Sequence, residues 1–256
     1  MPSIAELRAV TQPDALLGRP GHEHWAGRLY MRRLSPYVTR VLLRTPLSAD
    51  AVTALMIPTG LFAAGVLTLP GVAAGISALL FAQAWLLLDC CDGEVARWRQ
   101  TFSSRGVFID GLAHYVTQVA LPVAVGIRAD GGWDSLGGWT TAGLVVALLV
   151  SLLSVESHLV HFVRARAGKP LLDPEVPAPA PRPRTVRGLR RAIAFVPFFR
   201  AFNPVELTLL AFIAALVDAA AGDLVGTRIL LVALLAAAAV TAIGHLVVIL
   251  TSDRLD

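Results

Sequence analysis

A chain of 256 residues that is 55% hydrophobic and only 16% charged, with a mean hydropathy of +0.66, is too apolar for an ordinary water-soluble domain and reads as an integral membrane protein. Its net charge is a modest +4, and its two cysteines, Cys90 and Cys91, are neighbours in sequence. Adjacent thiols exclude a disulfide framework and a four-thiolate zinc site, and they read as small core residues.

Residues 1–24 are mixed and polar, with Pro13, Pro20 and Gly21 interrupting any regular element, so a loosely ordered arm is expected there. Residues 1–44 contain no long apolar run of the kind a secretory signal carries, which leaves the N-terminus expected on the cytoplasmic side. From Trp25 to Leu43 the apolar Leu29, Tyr30, Leu34, Tyr37, Val38, Val41 and Leu42 alternate with Arg28, Arg32, Arg33, Arg40 and Arg44. That pattern predicts an N-terminal interfacial amphipathic helix on an anionic leaflet, interrupted at Ser35-Pro36. Packing of the same helix on the protein itself is the alternative.

Apolar runs of bilayer length, about 20 residues, follow at 51–69, 72–91, 106–127, 139–162, 204–221 and 228–250. The expected fold is therefore all-α and integral to the membrane. Residues 1–44 form the arm and interfacial helix, and residues 45–256 form a domain of six transmembrane helices with a cytoplasmic linker at 164–203. Of the 22 Lys and Arg residues, only Arg128 and Arg228 fall in loops that face outward when Met1 is inside. The positive-inside rule then puts both termini in the cytoplasm of a multi-pass cell-membrane protein. The linker holds a proline-rich piece, Pro170 to Pro183, expected to be extended. A basic piece with Arg184, Arg187, Arg190, Arg191 and Arg200 follows and is expected to form a second interfacial helix. Trp85, Trp98, Trp133 and Trp139 stand near the expected boundaries and read as belt residues.

Between the second and third spans lies DCCDGEVARWRQTFSSRGVFIDGLAH, from Asp89 to His114. Read as two helix ends joined by a polar turn, Asp89 and Asp92 fall at i and i+3 on one helix. Gly106, Asp110 and His114 fall at i, i+4 and i+8 on the next, so each set lines a single face. A carboxylate inside hydrocarbon costs at least ~2.5–3.5 kcal/mol, so three at a membrane boundary call for a compensating cation or water. Oxygen ligands gathered without thiolates suit Mg²⁺, Mn²⁺ or Ca²⁺. The short polar join from Arg97 to Arg105 makes the two helices antiparallel neighbours whose motif faces converge at the cytoplasmic interface. Glu94 and Arg99 read as solvated neighbours of this cluster. Glu156, His158 and His161 mark the cytoplasmic end of the fourth span.

These residues resemble the signature of the CDP-alcohol phosphotransferase family, also called CDP-alcohol phosphatidyltransferases: D-x2-D-G-x2-A-R-x8-G-x3-D-x3-D. Asp89, Asp92, Gly93, Ala96, Arg97, Gly106 and Asp110 match it in order, and His114 stands where the pattern has its last Asp. Upstream, Thr45 to Thr53 resembles the family's P-x-x-P-N-x-V-T run, with Ala49 and Asp50 in place of its second Pro and its Asn. The resemblance implies a six-helix membrane transferase of phospholipid biosynthesis. Such an enzyme moves a phospho-alcohol group from a CDP-alcohol, such as CDP-diacylglycerol, to a hydroxyl of a small polyol or polyol phosphate, with release of CMP. It implies two divalent cations, Mg²⁺ or Mn²⁺, held by Asp89, Asp92 and Asp110. The CDP moiety would lie against Asp92, Gly93, Ala96, Arg97 and Gly106. The family's last aspartate is given the role of general base, which His114 takes over here together with Asp110 as the catalytic residues. Membrane lipids and a second copy of the chain are compatible partners; nucleic acid is not expected.

Two other readings stay open. A family member impaired by His114 would bind CDP-alcohol or metal as a scaffold, and a cation transporter would also carry acidic residues on membrane helices. Clustering of the acids at one interface, with no broken-helix pair at the midplane, argues against transport.

Overall fold

The computed structural model describes residues 1–13, 25–172 and 198–255. Its first helix, α1 (Ile4–Thr11), forms inside the segment expected to be a loose arm. It forms because Ser3 and Glu6 make a reciprocal capping box: the Ser3 hydroxyl accepts from the Glu6 N–H, and the Glu6 carboxylate accepts from the Ser3 N–H at 2.7 Å. That backbone bond holds the Glu6 carboxyl below its ordinary pKa.

Gly27–Met31 is a π-helical turn that continues into α2 (Arg32–Leu42). The break expected at Ser35-Pro36 is absent, because α2 runs through Pro36. Proline removes the N–H that would bond the carbonyl of Arg32 four residues earlier, and the Gln12 side chain donates to that carbonyl instead, at 2.9 Å. Ser35, Pro36 and Thr39 are buried on the protein, while Leu34, Tyr37 and Val41 are at least half exposed. The helix thus packs on the protein through a small and polar face and leaves Leu34, Tyr37 and Val41 outward.

Six further helices are long and apolar enough to cross a membrane: α3 (Ala49–Leu67), α4 (Val72–Arg99), α5 (Ser104–Asp130), α6 (Gly138–Arg166), α7 (Pro204–Ala221) and α8 (Val225–Thr251). They follow the six predicted spans, and no strand occurs among the described residues. The largest difference in bounds is in α4, which runs to Arg99 rather than ending near residue 91. Asp89 and Asp92 therefore sit inside a helix and not at its end. Gln100 stops α4 with φ 54, and the Thr101 N–H reaches back to the Ala96 carbonyl at 3.0 Å. This is the left-handed termination that glycine usually supplies. The Gln100 amide also donates to the carbonyl of Arg97. The proline-rich piece and the basic helix expected across 173–197 lie outside the described residues; Arg200 is exposed on a short 3-10 turn.

The chain forms two compact units, one of residues 1–66 and 76–117, the other of residues 67–75 and 118–256. In the second unit α5 and α6 approach at Gly126 and Gly143, where a Cβ on either glycine would stand 2.7 Å from a carbonyl oxygen of the other helix. Arg128, 2% exposed, donates to the carbonyls of Leu69 and Gly71 and to Thr227, beside Asp218. Arg228 donates to the Ala129 carbonyl and lies over the Trp139 ring. Glu156 is bonded to His245 Nδ1 at 2.8 Å, and His158 turns to the Ser154 carbonyl.

Candidate active site

In the first unit the fully buried Glu94 fastens the N-terminal helices to α4. Its carboxylate accepts from Gln12 Nε2 (2.7 Å), Ser35 Oγ (2.5 Å) and Thr39 Oγ1 (2.6 Å), and Arg32 lies 3.8 Å away. The expectation of a solvated Glu94 is thereby corrected: a buried carboxylate needs several donors, and α2 brings them. Arg99 is not free in solvent either, since its guanidinium donates to the carbonyls of Thr45 and Leu47 and ties down the run before α3.

One face above this anchor carries the signature. Asp89 on α4 and Asp110 and His114 on α5 bring ligand atoms within 4.8 Å of one another, a grouping that could hold a metal ion. His114 Nδ1 lies 3.0 Å from the Asp110 carbonyl and 3.3 Å from its carboxylate, while Nε2 lies 3.7 Å from Asp89. A carbonyl can only accept, so in the neutral ring Nδ1 carries the proton and Nε2 keeps the lone pair. Trp85 packs edge-on to the imidazole, ring centroids 4.6 Å apart, and is 3% exposed. It is a wall of the site and not the belt residue its position suggested. Cys90 and Cys91 are free and buried, as expected.

Asp92 stands apart from that trio, accepting from Thr53 Oγ1 of α3 at 2.7 Å. It lines a cavity of about 460 Å³, within the ~300–1,000 Å³ usual for small-molecule sites, together with Gly93, Ala96, Gly106, Asp110 and Asp50. Gly93 lies against Arg97, whose Nη1 is 3.0 Å from where a Cβ would stand, so a side chain there would push the guanidinium aside. Arg97 itself is not part of the lining; its Nε donates to the Thr11 carbonyl at the end of α1. Gly106 faces Asp50, whose Oδ1 would be 2.7 Å from a Cβ there.

Five of the eight signature residues, Asp92, Gly93, Ala96, Gly106 and Asp110, thus line one cavity. Asp89 and His114 join them through Asp110, and Arg97 lies behind Gly93. Asp50, Thr53 and Ser103 were not singled out as site residues, although the resemblance of the run from Thr45 to Thr53 pointed toward the first two.

The grouped donors, two carboxylates and one imidazole, with the Asp92 carboxylate one turn further along α4, fit a divalent cation bound largely by oxygen, and the absence of thiolate disfavours softer metals. A search of curated proteins gave no match. A family model does match, over residues 47–171, the part of the chain that contains the signature, Asp50 and Thr53. Residues 47–171, just under half of the 256-residue chain, thus match a CDP-alcohol phosphatidyltransferase domain.

Proposed function

We propose that the protein transfers a phospho-alcohol group from a CDP-alcohol to an acceptor hydroxyl at the cytoplasmic membrane face, releasing CMP. The observation that carries this reading is the cavity of about 460 Å³ that Asp92, Gly93, Gly106 and Asp110 line, with His114 and Asp89 at its acidic side. Asp89, Asp92 and Asp110 would hold Mg²⁺ or Mn²⁺, which leaves the one free lone pair of His114, on Nε2, for the proton. When bound, the cations neutralise the diphosphate and the leaving CMP.

The chain's own residues do the rest. Gly93 and Gly106 leave room for the nucleotide against the backbone. Arg97 stands behind Gly93 and supports that wall, so direct phosphate contact is the lesser part of its role. The acceptor oxygen attacks the phosphorus distal to cytidine, and the bond from that phosphorus to the bridging oxygen breaks. The hydroxyl proton passes to His114 Nε2, whose ring is held by the Asp110 carbonyl and by Trp85.

A radiolabel transfer screen tests this, with CDP-diacylglycerol and CDP-inositol as donors. Glycerol phosphate, serine, inositol and inositol phosphate serve as acceptors. Labelled product with stoichiometric CMP is expected from one pair. The proximity of His114 Nε2 to Asp89 favours a second reading, in which the imidazole is held in an ion pair and the protein is a CDP-alcohol-binding scaffold. Nucleotide binding without transfer for any pair would select it.

A further inference from the structure

Asp50 is the one carboxylate lining the cavity that the signature does not account for. It stands where the related run has Asn, on the first turn of α3. Ser103 Oγ shares its single proton between the two Asp50 oxygens, at 2.8 and 3.0 Å, and in turn accepts from the Gly106 N–H at 2.8 Å. A carboxylate has about four lone-pair positions, so Ser103 leaves Asp50 with accepting capacity toward the cavity. No basic side chain among the described residues lies within ion-pair distance of it.

An anionic nucleotide can place phosphate against a carboxylate of this cavity only through a cation, and Asp50 is not among the residues grouped closely enough to hold one with Asp89, Asp110 and His114, so it is left to meet neutral hydrogen-bond donors. The donors of a cytidine nucleotide are its sugar hydroxyls and the amino group of its base. Position along α5 chooses between them. Asp50 faces Gly106, one helical turn before Asp110, a rise of roughly 6 Å. The sugar is joined directly to the diphosphate, whereas the base lies a further ring away.

We propose that Asp50 is a specificity residue that accepts hydrogen bonds from the ribose hydroxyls of the donor nucleotide, with Ser103 fixing its orientation. The assignment rests on the CDP-alcohol reading of the cavity. A carboxylate that grips a vicinal diol makes the site selective for ribonucleotide donors over deoxyribonucleotide ones.

The test is calorimetric binding of CDP, 2′-deoxy-CDP, 3′-deoxy-CDP and UDP, with Mn²⁺ present. The proteins are the full chain in nanodiscs and its Asp50→Asn and Asp50→Ala variants. Wild type should lose about 10- to 100-fold in affinity when a hydroxyl is removed, the scale of a hydrogen bond to a charged group. Asp50→Ala should weaken CDP by a similar factor and bind CDP and its deoxy forms alike, and Asp50→Asn, which keeps the shape, should fall between. If the variants keep the wild-type preference for ribose, Asp50 does not touch the sugar and the proposal fails while the donor reading stands. Loss of CDP-over-UDP selectivity in place of ribose selectivity would move Asp50 to the base and also overturn it. Wild type that binds no CDP at all removes the donor reading and this proposal together.

Discussion

At His114 the chain leaves the pattern it otherwise follows, and the geometry around the ring makes the substitution testable. Nδ1 is directed to an acceptor carbonyl, which leaves Nε2 as the nitrogen able to take a proton. His114→Ala should therefore reduce turnover by roughly 10²–10⁴-fold, the usual contribution of a general base, with little change in CDP affinity. His114→Asp restores the signature residue and should keep substantial activity while tightening metal binding, because a carboxylate oxygen suits Mg²⁺ better than imidazole does. Steady-state CMP release and metal titration of the two variants check this, and near-wild-type turnover in His114→Ala would make the residue a packing histidine. A related expectation concerns charge: a diphosphate meeting Asp89, Asp92 and Asp110 without a cation meets repulsion. Calorimetry should give CDP binding with Mg²⁺ or Mn²⁺ and almost none in EDTA; equal affinity in both would remove the cation from the site.

Helix by helix, what could be read from sequence was what is periodic or contiguous. The six spans and the faces carrying Asp89, Asp92, Gly106, Asp110 and His114 follow from local spacing, and they were legible. Glu94 was not, because its three hydrogen-bond donors lie 55 to 82 residues away on α2 and just after α1. In its own neighbourhood it looks like one more polar residue of a motif. Asp50 and Ser103 escaped for the same reason, being brought together across 53 residues. Even the uninterrupted α2 depends on a distant partner, since Gln12 occupies the carbonyl that Pro36 frees. Two predictions belong at this scale. Glu94→Ala removes the acceptor of the buried Ser35 and Thr39 hydroxyls and of the part-buried Gln12 amide, and should cost about 3–5 kcal/mol, the scale of breaking a buried charged network from one side. It would be read as a lowered melting temperature in detergent, with Glu94→Leu no better. Gln12→Ala should cost less, about 1–3 kcal/mol, through the unsatisfied Arg32 carbonyl and the lost Glu94 bond. A Gln12→Ala protein as stable as wild type would mean that water replaces the amide and that α1 is no splint for α2.

For the molecule as a whole, the direction of insertion decides whether the cavity meets cytosolic nucleotide. The charge count that supports a cytoplasmic site had two exceptions, Arg128 and Arg228. In the second unit Arg128 is almost wholly buried beside Asp218, so its charge is not presented to a membrane face, while Arg228 is tied to the Ala129 carbonyl and the Trp139 ring. What remains of the basic residues favours one side. Helix α5 has 27 residues, roughly 40 Å at 1.5 Å per residue, enough to place its two ends on opposite sides of a hydrocarbon core of about 30 Å. Cysteine labelling reads the orientation directly, and the native Cys90 and Cys91, 3% and 0% exposed, give little background. Ser104, exposed at the start of α5, marks the cavity side. Ser135, exposed just beyond the other end of α5, marks the opposite end. With an impermeant maleimide on intact cells, Ser135→Cys should label at once and Ser104→Cys only after permeabilisation. The reverse pattern would put the acidic cavity outside the cell, where no cytosolic CDP-alcohol could reach it, and the transferase reading would fall with the orientation.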